Sequence, residues 1–170
     1  AICYLDEIVE ARKDTTVIIH PLSDHRRLLP LDKKGHVVSA HENFFLVMSY
    51  NPGYQSSAKN LKHSTRQRFI AIEFTYPSVE QEAEIIQHES LVDQETATDL
   101  ARVGEKIRNL KGRVLTEAAG TRLLIYAGGL ICRGIRRKRA CEIAVAASIS
   151  DESEVQRAIS EVISAVFPED

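Results

Sequence analysis

The feature that most constrains this fold is a change of hydrophobic pattern near Pro77. Three short apolar runs precede it, at residues 1–5, 44–48 and 69–74. Runs this short and this apolar predict strands buried on both faces, as in a parallel sheet. After Pro77, apolar residues recur at helical spacing. We therefore predict an α/β domain over residues 1–77 and an all-helical domain over residues 78–170.

Local signals place further elements in both domains. In the first, we predict a helix over 14–22 that Asp14 caps, a hairpin of 27–31 and 36–40 that turns at Gly35, and a helix over 57–66. In the second, we predict helices over 79–89, 94–110, 122–133, 136–147 and 152–166, with Ser78 and Thr121 as caps of the first and third.

The composition limits the class of protein. The 22 basic and 24 acidic residues give a net charge of −2, which provides no general attraction to nucleic acid or to anionic lipid. The longest run without strongly polar side chains, residues 123–132, is short of the ~20 residues that a membrane span needs. Three cysteines without C-x-x-C spacing, and no visible signal peptide, favour a cytoplasmic protein with reduced thiols.

An acidic pair, Asp6 and Glu7, directly follows the first apolar run. Ligands of open α/β sheets bind at the carboxyl ends of the strands. An aspartate there can hold Mg²⁺, and an adjacent glutamate can deprotonate a water that attacks a γ-phosphate. The same pattern also arises where a strand simply runs into a polar loop, so the pair alone leaves both interpretations open.

Four other polar residues are consistent with a phosphate ligand. Asn51 follows the second apolar run and could contact the γ-phosphate or the attacking water, although Asn-Pro-Gly also favours a plain turn. Arg66 and Arg68 precede the third run and could reach a neighbouring subunit's phosphate, or could merely stabilise a helix C-terminus. Arg122 lies in the first turn of a helix, where the dipole disfavours cations, which hints at an external anion.

The order of these motifs closely resembles the CbbQ/NirQ/NorQ family of MoxR-type AAA+ ATPases, over essentially the whole chain. The segments that carry the resemblance are residues 3–12, 20–27, 49–55, 64–69 and 121–128. The resemblance implies a partial P-loop AAA+ core, with a parallel sheet and a hairpin before sensor 1, followed by an all-α lid. It also implies ATP and Mg²⁺ as cofactors.

The resemblance implies roles for single residues as well. Asp6 and Glu7 correspond to the Walker-B pair, with Asp6 on the metal, and Asn51 corresponds to sensor 1. Arg66 and Arg68 are the candidates for the arginine finger, of which Arg68 aligns with the general AAA+ position. Arg122 corresponds to sensor 2.

The partners are implied by the same resemblance. Family members form hexameric rings and act with a partner that carries a von Willebrand factor A domain. Together they activate a metalloenzyme client, which is Rubisco for some members and nitric oxide reductase for others. We expect no nucleic-acid partner, because the basic run at 133–139 lacks interleaved aromatic residues and is more typical of a solvated loop.

One departure from the family pattern concerns the phosphate-binding loop. The glycines of residues 129–134 have the spacing of a P-loop, but neither lysine nor hydroxyl follows them, and they lie in a helical region. We expect the P-loop to precede Ala1, so that these 170 residues alone bind ATP weakly or not at all. The alternative to an ATPase is a truncated, non-catalytic interaction or adaptor module.

Overall fold

The computed structural model describes residues 1–11, 13–51, 61–110, 115 and 118–168, apart from the side chains of 13–15. The chain divides into two compact units, Ala1–Phe74 and Thr75–Asp170. The first contains strands and short helices, and the described part of the second consists mainly of helices. This confirms the predicted fold class of a partial AAA+ core followed by a helical region.

The first unit contains a small parallel sheet. Strand β1 (Ile2–Leu5) pairs with β4 (Phe45–Met48), in a register that places Leu5 opposite Met48. The unit also contains three short α-helices, α1 (Lys13–Ile18), α2 (His20–Ser23) and α3 (His63–Arg66), and a turn of 3₁₀ helix at Ile8–Glu10. Helix α1 begins before the predicted cap Asp14, and residues 57–60 of the predicted helix over 57–66 lie outside the described residues.

The predicted hairpin forms between β2 (Leu28–Leu31) and β3 (His36–Ser39), which pair antiparallel. A single turn of 3₁₀ helix, Asp32–Lys34, joins the strands and ends at Gly35. Gly35 has φ 62°, in the left-handed region where a residue without a Cβ is not strained. The hairpin therefore turns at Gly35, as the sequence predicts.

The predicted third strand over 69–74 is wrong, because these residues are not in a strand. Strands form only where a neighbour supplies hydrogen bonds, and the described sheet pairs β1 with β4 alone. Ile70, Ile72 and Phe74 consequently remain 97%, 77% and 90% exposed. The first residues of the paired strands, Ile2 and Phe45, are exposed as well.

The second unit is built from α4 (Val79–Ser90), α5 (Gln94–Arg108), α6 (Thr121–Cys132), α7 (Arg137–Cys141), α8 (Ala147–Ile149) and α9 (Ser153–Val166). A π-helical segment, Glu142–Ala146, joins α7 to α8. The helices enclose one apolar core whose fully buried members include Ile86, Leu100, Ile107, Leu124, Val145 and Ile159. Burial of such side chains stabilises the unit by about 1.5–3 kcal/mol for each one.

Two helix starts show how the caps are formed. Ser78 caps α4, because its hydroxyl accepts a hydrogen bond from Gln81 N–H and the Gln81 side chain accepts one from Ser78 N–H. Thr121 does not cap α6, contrary to prediction: Gly120 occupies the cap position and Thr121 is the first helical residue. The Thr121 hydroxyl donates to Glu82 instead.

Among the described residues, no helix combines the length and apolar character of a membrane span.

Candidate active site

The acidic pair and the second polar strand end meet at one edge of the sheet. The register of β1 with β4 brings Asp6 next to Ser49, and the backbone ladder continues past both strands. Ser49 N–H donates to the Leu5 carbonyl at 3.0 Å, and Ile8 N–H donates to the Ser49 carbonyl at 3.1 Å. These bonds hold Asp6 and Glu7 directly against the start of the segment that leads to Asn51.

Two hydroxyl groups contact one oxygen of the Asp6 carboxylate. Ser49 Oγ lies 2.5 Å from Asp6 Oδ1, and the Tyr4 hydroxyl lies 2.8 Å from it. The two hydroxyl oxygens are themselves 3.0 Å apart. Hydrogen bonds from Ser49 and Tyr4 lower the pKa of Asp6, because they stabilise the ionised carboxylate.

The remaining oxygen of Asp6 fits a magnesium ligand. Both side-chain hydrogen bonds go to Oδ1, so Oδ2 accepts none from the side chains that the structure describes. Asp6 is also exposed to solvent. Mg²⁺ keeps several waters and takes one or two carboxylates together with substrate phosphates. An exposed, ionised aspartate is therefore a suitable Mg²⁺ ligand. No cluster of three or more metal-binding side chains occurs in the described part of the chain, and this mode of binding does not need one.

Glu7 adopts an unusual backbone conformation. Its φ of 48° and ψ of 45° lie in the left-handed region, which costs a non-glycine residue on the order of 1 kcal/mol. Its N–H donates to Ser49 Oγ at 3.3 Å. Its carboxylate accepts a hydrogen bond from Asn51 Nδ2 at 3.4 Å. The structure thus brings Asp6, Glu7 and Asn51 together, and the left-handed backbone aims Glu7 toward Asn51.

Arg66 and Arg68 have different surroundings on α3 and just after it. The Arg66 side chain is exposed and has no hydrogen-bond or ion-pair partner among the described residues. Arg68 is held within its own unit, since Nη1 donates to the Ser64 carbonyl and Nε lies 3.7 Å from Asp24 Oδ2. No hydrogen bond or ion pair between described residues joins either arginine to Asp6, Glu7 or Asn51.

A polar cluster around α2 and α3 surrounds Arg68. His20 Nε2 lies 2.7 Å from the hydroxyl of Thr65, which is buried. Burial, with Arg68 and Lys62 nearby, lowers the pKa of His20. Asp24 accepts two hydrogen bonds from the Arg26 side chain, which hold its pKa well below the usual range. The ionised form of Asp24 is therefore favoured, and it forms an ion pair with Arg68.

Arg122 belongs to the second unit. It is the second residue of α6, and its side chain is exposed. The first turn of α6 contains no acidic residue of its own. The cation therefore lies at the end of the helix that favours anions, as the sequence predicts.

Sequence reasoning missed Ser49 and Tyr4. Tyr4 is two residues before Asp6 on an extended segment, so the two side chains share a face, and this spacing was an available signal. Ser49 is the first polar residue after the second apolar run. Its role depends on the register between strands that are 43 residues apart, and only the structure gives that register.

The comparisons with known proteins cover both units. Residues 1–69 match the AAA domain of the dynein-related subfamily, and residues 82–166 match the CbbQ/NirQ/NorQ C-terminal family. Protein CbbQ of Hydrogenophilus thermoluteolus is 56% identical over 98% of this chain and 62% of its own length. Protein NorQ of Paracoccus denitrificans is 50% identical over 98% of this chain and 62% of its own length. The denitrification regulatory protein NirQ of Pseudomonas aeruginosa is 48% identical over 95% and 62%. The chain thus spans about three fifths of each of these relatives.

Proposed function

Because the chain belongs to the CbbQ/NirQ/NorQ family of AAA+ proteins, we propose that it is the later part of an ATP-hydrolysing remodelling protein. The observation that supports this most directly is the meeting of Asp6, Glu7 and Asn51 at one sheet edge. A carboxylate suited to Mg²⁺, a second carboxylate and an amide are the groups that phosphoryl transfer to water requires.

Each of these groups has a distinct role in the proposed reaction. Asp6 holds Mg²⁺, which neutralises charge on the β- and γ-phosphates when it is bound. Glu7 orients the attacking water and accepts its proton. Asn51 donates to Glu7 and restricts the directions that the carboxylate can take. Ser49 and Tyr4 keep Asp6 ionised and fixed in place.

The arginines complete the proposed site. Arg66 and Arg68 are the candidates for a finger that reaches the nucleotide of a neighbouring subunit, where it stabilises the charge of the transition state. The exposed and unpaired state of Arg66 among the described residues favours it for contact with another molecule. Arg122 contacts the terminal phosphate as sensor 2. The P-loop that such a site needs is expected in the part of the full-length protein outside residues 1–170.

The assembly follows the family. We propose a hexameric cytoplasmic ring that acts with a partner carrying a von Willebrand factor A domain to activate a metalloenzyme. As the family resemblance implies, the proposed client is Rubisco, a nitric oxide reductase or another metalloenzyme. Affinity capture with the full-length protein in the presence of ATP tests the partner. Co-purification of a protein with that domain supports the proposal, and its absence counts against it.

The ATPase activity is tested with Asp6→Asn in the full-length protein. Loss of a charged metal ligand should reduce Mg²⁺-dependent ATP hydrolysis by at least about a hundredfold. Asp32→Asn in the hairpin turn is the matched control and should hydrolyse ATP as the wild type does. A wild-type rate and magnesium requirement in Asp6→Asn would remove Asp6 from the site.

The second candidate function is a non-catalytic adaptor. It would apply if the full-length protein lacked a G-x-x-x-x-G-K-[ST] motif. Calorimetric titration of ATP·Mg²⁺ into the full-length protein separates the two functions. Saturable binding supports the ATPase, and no binding would make the adaptor the better conclusion.

A further inference from the structure

The guanidinium of Arg108, at the end of α5, is a hub of contacts within the helical unit. Nη1 and Nη2 donate to the two carboxylate oxygens of Glu82 on α4, at 2.8 and 2.5 Å. Nε donates to the Ala119 carbonyl at 2.9 Å. The guanidinium also stacks on the ring of Tyr76, 3.9 Å from its centroid. The side chain of Glu82 is only 1% exposed and that of Arg108 only 12%.

The same ion pair holds the start of α6 on both sides of its cap. The Thr121 hydroxyl donates to Glu82 Oε1 at 2.7 Å, and Ala119 is bound through its carbonyl. Gly120, which lies between them, is the cap residue and has no side chain to contribute. The position at which α6 begins is therefore set by Glu82 and Arg108, one residue before Arg122.

The packing beside this hub leaves little room for α6 to shift. A Cβ on Gly104 of α5 would lie 2.6 Å from Leu124 Cδ1 on α6 and 3.3 Å from Arg108 Nη2. Glycine at this position is what allows the two helices to approach closely at the level of the hub. Leu124 is fully buried, so the first turn of α6 is fixed by packing and by hydrogen bonds together.

We propose that Arg108 and Thr121, acting through Glu82, are positioning residues that fix where α6 begins and therefore the position of Arg122 on that helix. A buried ion pair is weak evidence for stability in itself, since apolar side chains of similar volume often serve as well. The Glu82–Arg108 pair matters here because its hydrogen bonds have a defined geometry and therefore fix the start of α6. Arg122 has no side-chain partner among the described residues, so its reach depends on where α6 starts. This inference rests on the proposed function, in which Arg122 contacts the nucleotide.

The test is Thr121→Val in the full-length protein, because valine keeps the shape of threonine and leaves the Glu82–Arg108 pair intact. We expect kcat/KM for ATP to fall about fivefold, with a rise in KM, and the thermal midpoint to stay within about 3 °C of the wild type. Thr98→Val on α5 is the control, since the Thr98 hydroxyl donates only to the Gln94 carbonyl of its own helix. It should leave the kinetics unchanged.

A double-variant cycle separates positioning from structure. If Thr121 acts through Arg122, Thr121→Val should have no further effect in the Arg122→Ala background. Independent, multiplying losses would overturn the inference. Arg108→Lys, which keeps the charge and loses the two-pronged geometry, provides a second variant and should also raise KM. A lower thermal midpoint with unchanged kinetics in both variants would show that the hub is structural only.

Failure of the inference and failure of the proposed function give different results. A wild-type full-length protein that hydrolyses no ATP would overturn both. An active wild type that loses activity with Arg122→Ala but not with Thr121→Val or Arg108→Lys would overturn the inference alone.

Discussion

The Ser49 hydroxyl donates a hydrogen bond of 2.5 Å to the Asp6 carboxylate, and the same hydroxyl oxygen accepts one from Glu7 N–H at 3.3 Å. One serine on the segment after β4 therefore contacts both residues of the acidic pair that follows β1. It favours the ionised form of Asp6 and stabilises the left-handed backbone of Glu7.

Ser49→Ala should weaken the metal site in the full-length protein. Of the two side-chain hydrogen bonds to Asp6, only that from the Tyr4 hydroxyl would remain, and the Glu7 amide would lose the Ser49 acceptor. We expect the Mg²⁺ concentration for half-maximal ATP hydrolysis to rise about three- to tenfold. Ser49→Thr keeps the hydroxyl and is the control. An unchanged magnesium requirement in Ser49→Ala would show that Tyr4 alone suffices.

The pKa of Asp6 should rise in the same variant. In the wild type, hydrogen bonds from Ser49 and Tyr4 lower it from 3.8, so the fold favours the ionised form. That contribution to stability is present above pH 3.8 and is lost as the pH falls through the lowered pKa. Carbon-13 titration of the Asp6 carboxyl by NMR should show a higher midpoint in Ser49→Ala. A midpoint equal to that of the wild type would contradict the assignment.

Substitutions of the two arginines near α3 should differ in their effects on ATP hydrolysis and thermal stability. Arg66→Ala should reduce ATP hydrolysis by on the order of a hundredfold or more while ATP binding and the thermal midpoint stay unchanged. Arg68→Ala removes the contacts with Asp24 and Ser64. Unlike Arg66→Ala, it should therefore lower the thermal midpoint, by about 2–4 °C. Turnover, calorimetric ATP binding and thermal unfolding together decide the assignment. Loss of turnover in Arg68→Ala alone, at an unchanged midpoint, would make Arg68 the finger.

Two adjacent glycines of α6 offer a matched test of the helical packing. A Cβ on Gly128 would lie 2.8 Å from Ser90 Cβ, so Gly128→Ala forces α4 and α6 apart. We expect the full-length protein to lose about 1–3 kcal/mol of stability. A Cβ on Gly129 meets only Arg133 Nη1, at 3.3 Å, so Gly129→Ala should gain about 0.5–1 kcal/mol from helix propensity. Equal effects in thermal unfolding would contradict this packing.

The elements that the sequence predicted correctly depend on local signals. The helix cap at Ser78 and the hairpin turn at Gly35 act within a few residues, so composition and spacing reveal them. The strand predicted over 69–74 depends on a pairing partner, and apolar alternation at Ile70, Ile72 and Phe74 cannot supply one. The cap of α6 was misplaced because Thr121 bonds to Glu82, 39 residues away, and not to its own helix.

In the candidate site, too, the residues marked by local signals could be predicted, and those that depend on long-range pairing could not. Asp6, Glu7 and Asn51 could be named from the polar residues after apolar runs, and the structure brings them together. Ser49 requires the strand register, and the Glu82–Arg108 pair joins residues 26 positions apart on two helices. The roles of Arg66, Arg68 and Arg122 come from resemblance and stay predictions.

The most direct test of the central claim is Glu7→Gln in the full-length protein, with ATP binding and turnover measured on the same sample. Glutamine keeps the shape and the contact with Asn51 but cannot accept a proton from water, while Asp6 still holds the metal. We predict that ATP binds as in the wild type and that hydrolysis falls about a hundredfold or more. The exposed Glu42→Gln serves as the control and should hydrolyse normally. Wild-type hydrolysis by Glu7→Gln would show that the acidic pair is not the catalytic centre.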